Sequence, residues 1–346
     1  MRQLRHSSDE EPGYARIRRG KGWSYHRPDG TRIKDLRTIE RLNTLAVPPA
    51  YRDVWYCRDA NGHVQATGYD EKGRKQYRYH DGFRALAEAE KFARLELFGR
   101  RLPRIRKRVE KALRKRKLGR ETVIAAIVRL IDENHLRVGN RQYARSNKSY
   151  GATTLTAGHV EKLKTRLKLS YRAKHGVERD ITITDPALVR IVGECHELPG
   201  QHLFQYVGED GRPRQVDSND VNDFLRTTAR ADITAKHFRT WGASAMAMEE
   251  LVTAMTEDKP PTLKRIVEPV AEALANTPAV TRSSYIHPAI LEAVKEHPGD
   301  PLRGIRRPRR ARRRMSREET LLLAFLEAQG PPPGWQRRLA RRFLRR

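Results

Sequence analysis

The chain has 346 residues, long enough for two or three domains with a well-buried core. Charged residues make up 33% and the formal net charge is +29, a surplus that opposes compact folding unless a polyanion neutralises it. No stretch approaches the ~18 consecutive apolar residues of a membrane span, and Cys57 and Cys195 lie far apart with no CxxC or CxxH spacing, which argues against a disulfide framework and a structural zinc site.

These properties imply a soluble intracellular protein whose favoured partner is nucleic acid; an anionic membrane surface is the weaker alternative. The opening MRQLRHSSDEEPGY has no apolar core for export, and residues 1–13 read as a disordered N-terminus. From Tyr14 to His80 short runs are split by turn chemistry at Pro28-Asp29-Gly30, Asn61-Gly62 and Lys72-Gly73. Asn61-Gly62 between Trp55–Cys57 and Val64–Thr67 is a hairpin signal, and Gln76–His80 alternates as a further strand. A short helix is expected over Ile39–Leu45, ahead of Pro48-Pro49. Residues 14–82 therefore read as a small β-rich domain.

At Asp81-Gly82 the period changes. Residues 83–300 read as a larger, mostly helical domain, which makes the fold class α+β. Helices are expected over Phe83–Leu97, Pro103–Lys117 and Glu121–Glu133, the last with Val123, Ile124, Ile127, Leu130 and Ile131 on a core-facing stripe. Arg100 to Arg120 holds 12 lysines and arginines against one acid, Glu110. Three strands then interrupt the helices: Thr153–Thr156, Leu167–Arg172 and Arg179–Thr184. The connection between the last two places Lys174 at a hairpin tip. Helices follow over about 186–197, 218–229, 235–255 and 260–275. Pro288 biases His287 away from the α region and can open a second helix over Ala289–Lys295. Tyr285 would then sit at a break between helices. Residues 301–346 form an arginine-rich tail, with 15 arginines and three acids. Glu318–Ala328 in it could form a short helix, and the tail's expected work is non-specific attraction to DNA.

Four elements line up along the helical domain. Arg137-Val138-Gly139 follows the third helix, with Tyr143 six residues after the arginine. Lys174 is on the hairpin. Lys236-His237-Phe238-Arg239-Thr240 opens a helix rich in small residues. Asn276 lies nine residues before Tyr285. Alone, each is ordinary; Tyr285 is one of 12 tyrosines. In this order and spacing they resemble the catalytic set of the type IB DNA topoisomerases, in their small bacterial and poxvirus branch. Gly73–Tyr79 is similar to that family's strand that enters the DNA major groove. The resemblance covers roughly residues 20–298. Two features depart from the pattern: Asn276 stands where poxvirus and eukaryotic members have histidine, and His175 follows Lys174 where small or acidic residues are commoner.

The resemblance implies a tyrosine recombinase/topoisomerase IB-like catalytic fold containing a three-stranded sheet. It implies an enzyme that nicks one strand of duplex DNA through a transient 3′-phosphotyrosyl link, relaxes supercoils by strand rotation and religates, without ATP, metal or cofactor. Chemistry assigns the roles. Tyr285 is the nucleophile, and Arg137 and Arg239 can fork onto the non-bridging phosphate oxygens. Asn276 donates a hydrogen bond there but has no proton to give. Lys174 is the best general acid for the leaving 5′-oxygen, because an ammonium among other cations gives up its proton readily. Gln76, Tyr77 and Tyr79 would face the groove, Arg74 and Lys75 would reach phosphates, and Tyr143 and Lys236 would touch the DNA near the site. The partner is duplex DNA, clamped by a monomer in the cytoplasm at the nucleoid. Two alternatives stay open. One is a tyrosine recombinase or integrase, against which stand Lys236 in place of its usual histidine and the β-rich first domain. The other is a non-enzymatic DNA-compacting protein.

Overall fold

A computed structural model of the chain describes residues 4–20, 22–257 and 260–330. It divides into two compact units at Lys91/Phe92.

The first unit is built on an antiparallel sheet. Its strands are β1 (Tyr14–Arg19), β2 (Gly22–His26), β3 (Arg52–Tyr56), β4 (Val64–Tyr69) and β5 (Lys75–Tyr79), in the order β2-β1-β3-β4-β5. The expected hairpin forms, with Trp55 opposite Thr67 and Tyr56 opposite Ala66. Gly62 in its turn is needed for close approach, since a Cβ there would lie 2.5 Å from the Cys57 sulfur. Helix α1 (Leu36–Thr44) starts where Asp35 accepts from the Thr38 amide. Tyr25, Ile33, Leu42, Val54 and Tyr56 form a small core. Arg16 is spent on structure: it donates to the carbonyls of Val47, Pro48 and Tyr51 and lies 4.0 Å from the Trp23 ring centroid.

The expected disorder of residues 1–13 does not hold over 4–13, while 1–3 lie outside the described residues. Arg5 pairs with the 61–63 turn through two backbone bonds, and the Ser7 hydroxyl bonds both backbone groups of Val64. Asp9 accepts from Thr67 and meets Lys75 at 2.5 Å. Arg5, Ser7 and Asp9, polar residues that suggest disorder, are here each satisfied against the sheet or its turns.

Helix α2 (Asp81–Leu113) runs unbroken where two helices are expected, with Pro103 inside it. Pro103 has no N–H to give the Gly99 carbonyl four residues back. The helix holds because its buried side, Leu95, Phe98, Leu102, Ile105 and Val109, is packed on the core. Gly99 is where Trp241 enters: a Cβ would lie 2.3 Å from that ring.

In the second unit α3 (Arg120–Asn134) is the central helix, buried from Thr122 to Val128. A short helix α4 (Arg141–Asn147) follows. Thr153–Thr156 is not a strand. Residues 152–154 form a buried 3₁₀ turn whose amides bond the carbonyls of Arg137 and Val138. The third strand is instead β6 (Val160–Lys162), which with β7 (Leu167–Arg172) and β8 (Glu178–Ile183) makes the sheet β6-β7-β8. Helix α5 (Pro186–Glu197) matches its expected span, while a two-stranded sheet of β9 (Gln205–Val207) and β10 (Pro213–Gln215) has no counterpart in the sequence reading. Then come α6 (Ser218–Ala229), α7 (Ala235–Thr256), α8 (Leu263–Ala273), α9 (Pro278–Ser284) and α10 (Pro288–Glu296).

The chain beyond residue 300 corrects the reading of a separate tail. Helix α11 (Arg317–Gln329) packs on α7 and buries Leu321, Leu322, Leu323, Phe325 and Leu326. Five large apolar side chains in six residues cannot stay in water cheaply, at roughly 1.5–3 kcal/mol each. Arg106 joins it to the core, donating to both carboxylate oxygens of Asp132 and of Glu319, while Trp241 Nε1 donates to Glu319 at 2.9 Å. Residues 331–346 lie outside the described residues. No described helix is long and apolar enough to cross a membrane.

Candidate active site

Helix α3 ends at Asn134, and His135 turns the chain with φ 52°. Its ring lies against α7 at Gly242, where a Cβ would come within 2.3 Å of it. That close contact sets the exit of the chain from α3. Arg137, Val138 and Gly139 then run against the 152–154 turn. Gly139 has φ 98°, and the Thr153 hydroxyl donates to the Val138 carbonyl at 2.8 Å. Arg137 is thereby held by its backbone, and its Nη2 donates to Asn276 Oδ1 at 3.1 Å.

Asn276 follows a sharp turn. Ala275 has φ 50°, and the Asn276 amide returns to the Ala271 carbonyl at 2.9 Å. Its Oδ1 is taken by Arg137, whereas its Nδ2 is buried with no partner among the described residues.

Arg239, in the first turns of α7, is only 5% exposed. Its Nη1 donates to the His135 carbonyl and its Nη2 to the Leu274 carbonyl, and its Nε is buried without a partner among the described residues. Its guanidinium carbon stands 5.1 Å from the ring centroid of Tyr285. Burial, then the neighbouring Arg137 charge, bring the Arg239 pKa down to about 10, which leaves it a cation at neutral pH.

Tyr285 sits at the helix break. It caps α9, and Pro288 opens α10 with His287 as N-cap. The Ser244 hydroxyl bonds across this break, accepting from the His287 amide at 3.0 Å, while its proton is shared between the Thr240 carbonyl at 2.9 Å and the Tyr285 carbonyl at 3.4 Å. Burial pushes the Tyr285 phenol up, but the charges of Arg239 and Arg137 outweigh it and hold the phenol below its ordinary value. Burial drives the His287 imidazole down to about 4, so it adds no charge at neutral pH.

Arg137, Arg239, Asn276 and Tyr285 thus come together. Lys174 stands exposed in the 3₁₀ turn between β7 and β8, and no hydrogen bond or ion pair joins it to those four among the described residues. Lys236 is exposed at the start of α7, and Tyr143 is 43% exposed on α4. In the first unit Tyr77 and Tyr79 lie on the edge strand β5, 46% and 39% exposed, with rings stacked at 5.9 Å. They do not fill a core. Arg74 pairs with Asp70 at 2.6 Å, and Gln76 donates to the same carboxylate.

Sequence reasoning missed the groups that hold the site: His135, the Thr153 hydroxyl, Ser244 and Arg179. The run Gly242-Ala-Ser-Ala signalled close packing of α7 but not against what. Arg179 on β8 lines the cleft beside Arg137, Arg239 and Tyr171. Among the described residues no group of three or more His, Cys, Asp or Glu is placed to hold a metal ion.

Comparison with known proteins bears on the whole arrangement. Residues 80–301 match the family profile described as eukaryotic DNA topoisomerase I, catalytic core, and residues 22–70 match the bacterial DNA topoisomerase IB, N-terminal domain. The DNA topoisomerase 1B of Acanthamoeba polyphaga mimivirus is 32% identical over 297 residues, covering 83% of this chain and 88% of the relative. The DNA topoisomerase 1B of Vaccinia virus (strain Western Reserve) is 22% identical over 281 residues, 78% of this chain and 83% of the relative. The DNA topoisomerase 1 of Mycosarcoma maydis is 28% identical over 192 residues, 49% of this chain and 19% of that longer protein. With its catalytic core and its N-terminal domain both matched, the chain belongs to the type IB DNA topoisomerases.

Proposed function

We propose that the chain relaxes DNA through a covalent link to Tyr285, using arginines and an amide rather than a metal to carry the charge. Arg137, Arg239 and Asn276, from three other chain segments, meet around that phenol, and none of them is a carboxylate. The observation that carries the reading is the pair of unmet buried donors, Asn276 Nδ2 and Arg239 Nε, beside an acidified tyrosine. A buried donor without an acceptor costs roughly 1–3 kcal/mol, and these two lie beside the phenol, so an acceptor brought to Tyr285 would recover that cost. A phosphodiester supplies acceptor oxygens and a negative charge.

The step balances as follows. The Tyr285 oxygen forms a bond to phosphorus and gives its proton to solvent. The bond from phosphorus to the 5′-oxygen breaks, and that oxygen takes a proton from Lys174. Arg137, Arg239 and Asn276 donate to the non-bridging oxygens as charge builds there, each worth on the order of 10²–10³ in rate. The phosphotyrosyl ester keeps the bond energy, so the 5′-hydroxyl can attack back without ATP once torsion has relaxed. Lys174 reaches the leaving oxygen only when DNA brings the phosphate to it. The exposed Tyr77 and Tyr79, with Gln76, Arg74 and Lys75 on the same strand, would contact the groove and its phosphates, and Tyr143 and Lys236 would steady the backbone near the cleavage point. The protein would act as a monomer clamped on duplex DNA at the nucleoid.

The test is relaxation of supercoiled plasmid in EDTA without ATP, quenched with detergent. Wild type should relax it and leave a protein-linked 3′ end. Tyr285→Phe should lose both, by at least about 10⁴-fold, while still binding duplex. If Tyr285→Phe relaxes plasmid at the wild-type rate, the assignment is wrong. A plasmid without any recombination site serves equally well, which separates this activity from a recombinase.

A further inference from the structure

The groups assigned to the reaction come from separate supports, and one side chain outside that set touches three of them. Arg179 lies on β8, just after the turn that carries Lys174, and is paired with Tyr171 of β7. Its Nη1 donates to the Ala273 carbonyl at 2.9 Å, and its Nη2 donates to the Asn134 carbonyl at 3.2 Å. Ala273 is the last residue of α8, ahead of the Asn276 turn. Asn134 is the last residue of α3, ahead of the Arg137 segment. Helix C-terminal carbonyls lack intrahelical partners and carry partial negative charge, so one guanidinium fork satisfies two helix ends at once.

The three supports are not equally held without Arg179. The Arg137 segment keeps its bonds to the 152–154 turn, and the Asn276 turn keeps its bonds to Ala271 and, through Leu274, to Arg239. The Lys174 hairpin has its own internal bonds and the Tyr150 amide on the Arg172 carbonyl, but its tie to the two helix ends is Arg179. Loss of that tie therefore falls mainly on Lys174.

We propose that Arg179 is a positioning residue, which docks the Lys174 hairpin on the C-terminal ends of α3 and α8 so that the ammonium meets the leaving 5′-oxygen. It acts through Lys174 and touches no reacting atom. The inference rests on the role given to Lys174 above. It also predicts that lysine cannot replace Arg179, since an ammonium lacks the planar fork that spans two carbonyls.

The experiment compares single-turnover cleavage of two duplexes carrying a site mapped with wild type. One has the ordinary 5′-oxygen at the scissile phosphate, the other a bridging sulfur. A thiol has a pKa of about 8.5, so sulfur departs as thiolate without a proton donor. On the oxygen duplex Arg179→Met and Arg179→Lys should be slower by at least about 10²-fold, the scale of general acid catalysis. On the sulfur duplex both should come back to within about tenfold of wild type, as Lys174→Ala should. The amplitude of adduct on the sulfur duplex counts the folded, competent molecules, so misfolding does not pass for a positioning effect. An equal loss on both duplexes, or no loss on either, overturns the proposal. Wild type that forms no adduct with either duplex overturns the function proposed for the site instead.

Discussion

Two arginines of the helical unit, Arg106 half-buried and Arg239 buried, show what separates a structural cation from one proposed to meet a phosphate. Arg106 and Arg239 are both packed around the start of α7, where Arg239 and Trp241 sit two residues apart. Arg106 is closed in by two carboxylates, Asp132 and Glu319, with four charge-assisted hydrogen bonds to them. Burial works against its charge, but the two acids outweigh burial and hold its pKa above the usual arginine range. Among the described residues no carboxylate pairs with Arg239. Its two Nη groups donate to carbonyls, and burial, then the charge of Arg137, brings its pKa down instead. A buried cation with balanced neighbours is finished. One with unbalanced neighbours keeps its charge available to an anion, as the proposed chemistry asks of Arg239.

The sharpest way to break this comparison is to remove each guanidinium in turn. Arg106→Met leaves the buried Glu319 and the half-buried Asp132 facing each other without their cation, and should cost about 3–5 kcal/mol of stability, read by urea unfolding. Arg239→Met leaves no orphaned charge behind. It orphans the His135 and Leu274 carbonyls, so it should cost about 1–3 kcal/mol, less than Arg106→Met, while slowing adduct formation by about 10²–10³-fold. Equal destabilisation by the two substitutions would show that Arg239 is as structural as Arg106.

How much of this the sequence could show follows the same line. The proposed reactive set could be picked out because its members are polar residues at fixed intervals on element ends, where few structural reasons compete to explain them. Arg137, Arg239, Asn276 and Tyr285 do converge. The β-rich first domain was legible because Asn61-Gly62 and Lys72-Gly73 admit few conformations other than turns. The supports were not legible. Arg179, Arg106 and the Thr153 hydroxyl act on carbonyls or carboxylates that are distant in sequence, and nothing local marks the acceptor. Pro103 misled because packing of Phe98, Leu102 and Ile105 overrides the local break. Residues 302–330 misled because their arginines dominate the composition. The leucines of α11, and Glu319 aimed at Trp241, decide the structure.

The Arg106 network also sets an acid limb. Burial raises the Glu319 carboxyl, but Arg106 outweighs this and brings it below the ordinary value. A carboxylate depressed in the folded state stabilises fully above its unfolded pKa, and that stability is lost as pH falls through the folded value. Unfolding midpoints measured from neutral pH downward should therefore fall more steeply in wild type than in Glu319→Gln, which has lost the titrating partner. Parallel curves would mean that Glu319 contributes no pH-dependent stability and that α11 is held by its leucines alone.

The smallest effect belongs to the last residues, and it separates two truncations that composition alone would treat as one. Cutting after residue 301 removes α11, exposes the α7 face beneath it and leaves Arg106 with only Asp132. That protein should be insoluble or unfolded. Cutting after residue 330 leaves the network whole and removes six arginines. If those arginines sit on phosphates, each release of a condensed counterion adds about 0.9 to the salt slope of binding. The shorter cut should then lower the slope by at most about five and leave adduct formation unchanged at low salt. A protein ending at 330 that binds with an unaltered slope would place all the useful charge in the folded units, with the exposed arginines between 303 and 313 as the first candidates. One that binds but no longer forms the adduct would mean that the last residues act on the reaction itself, and the contrast between a paired support and an unpaired site would have to be drawn elsewhere.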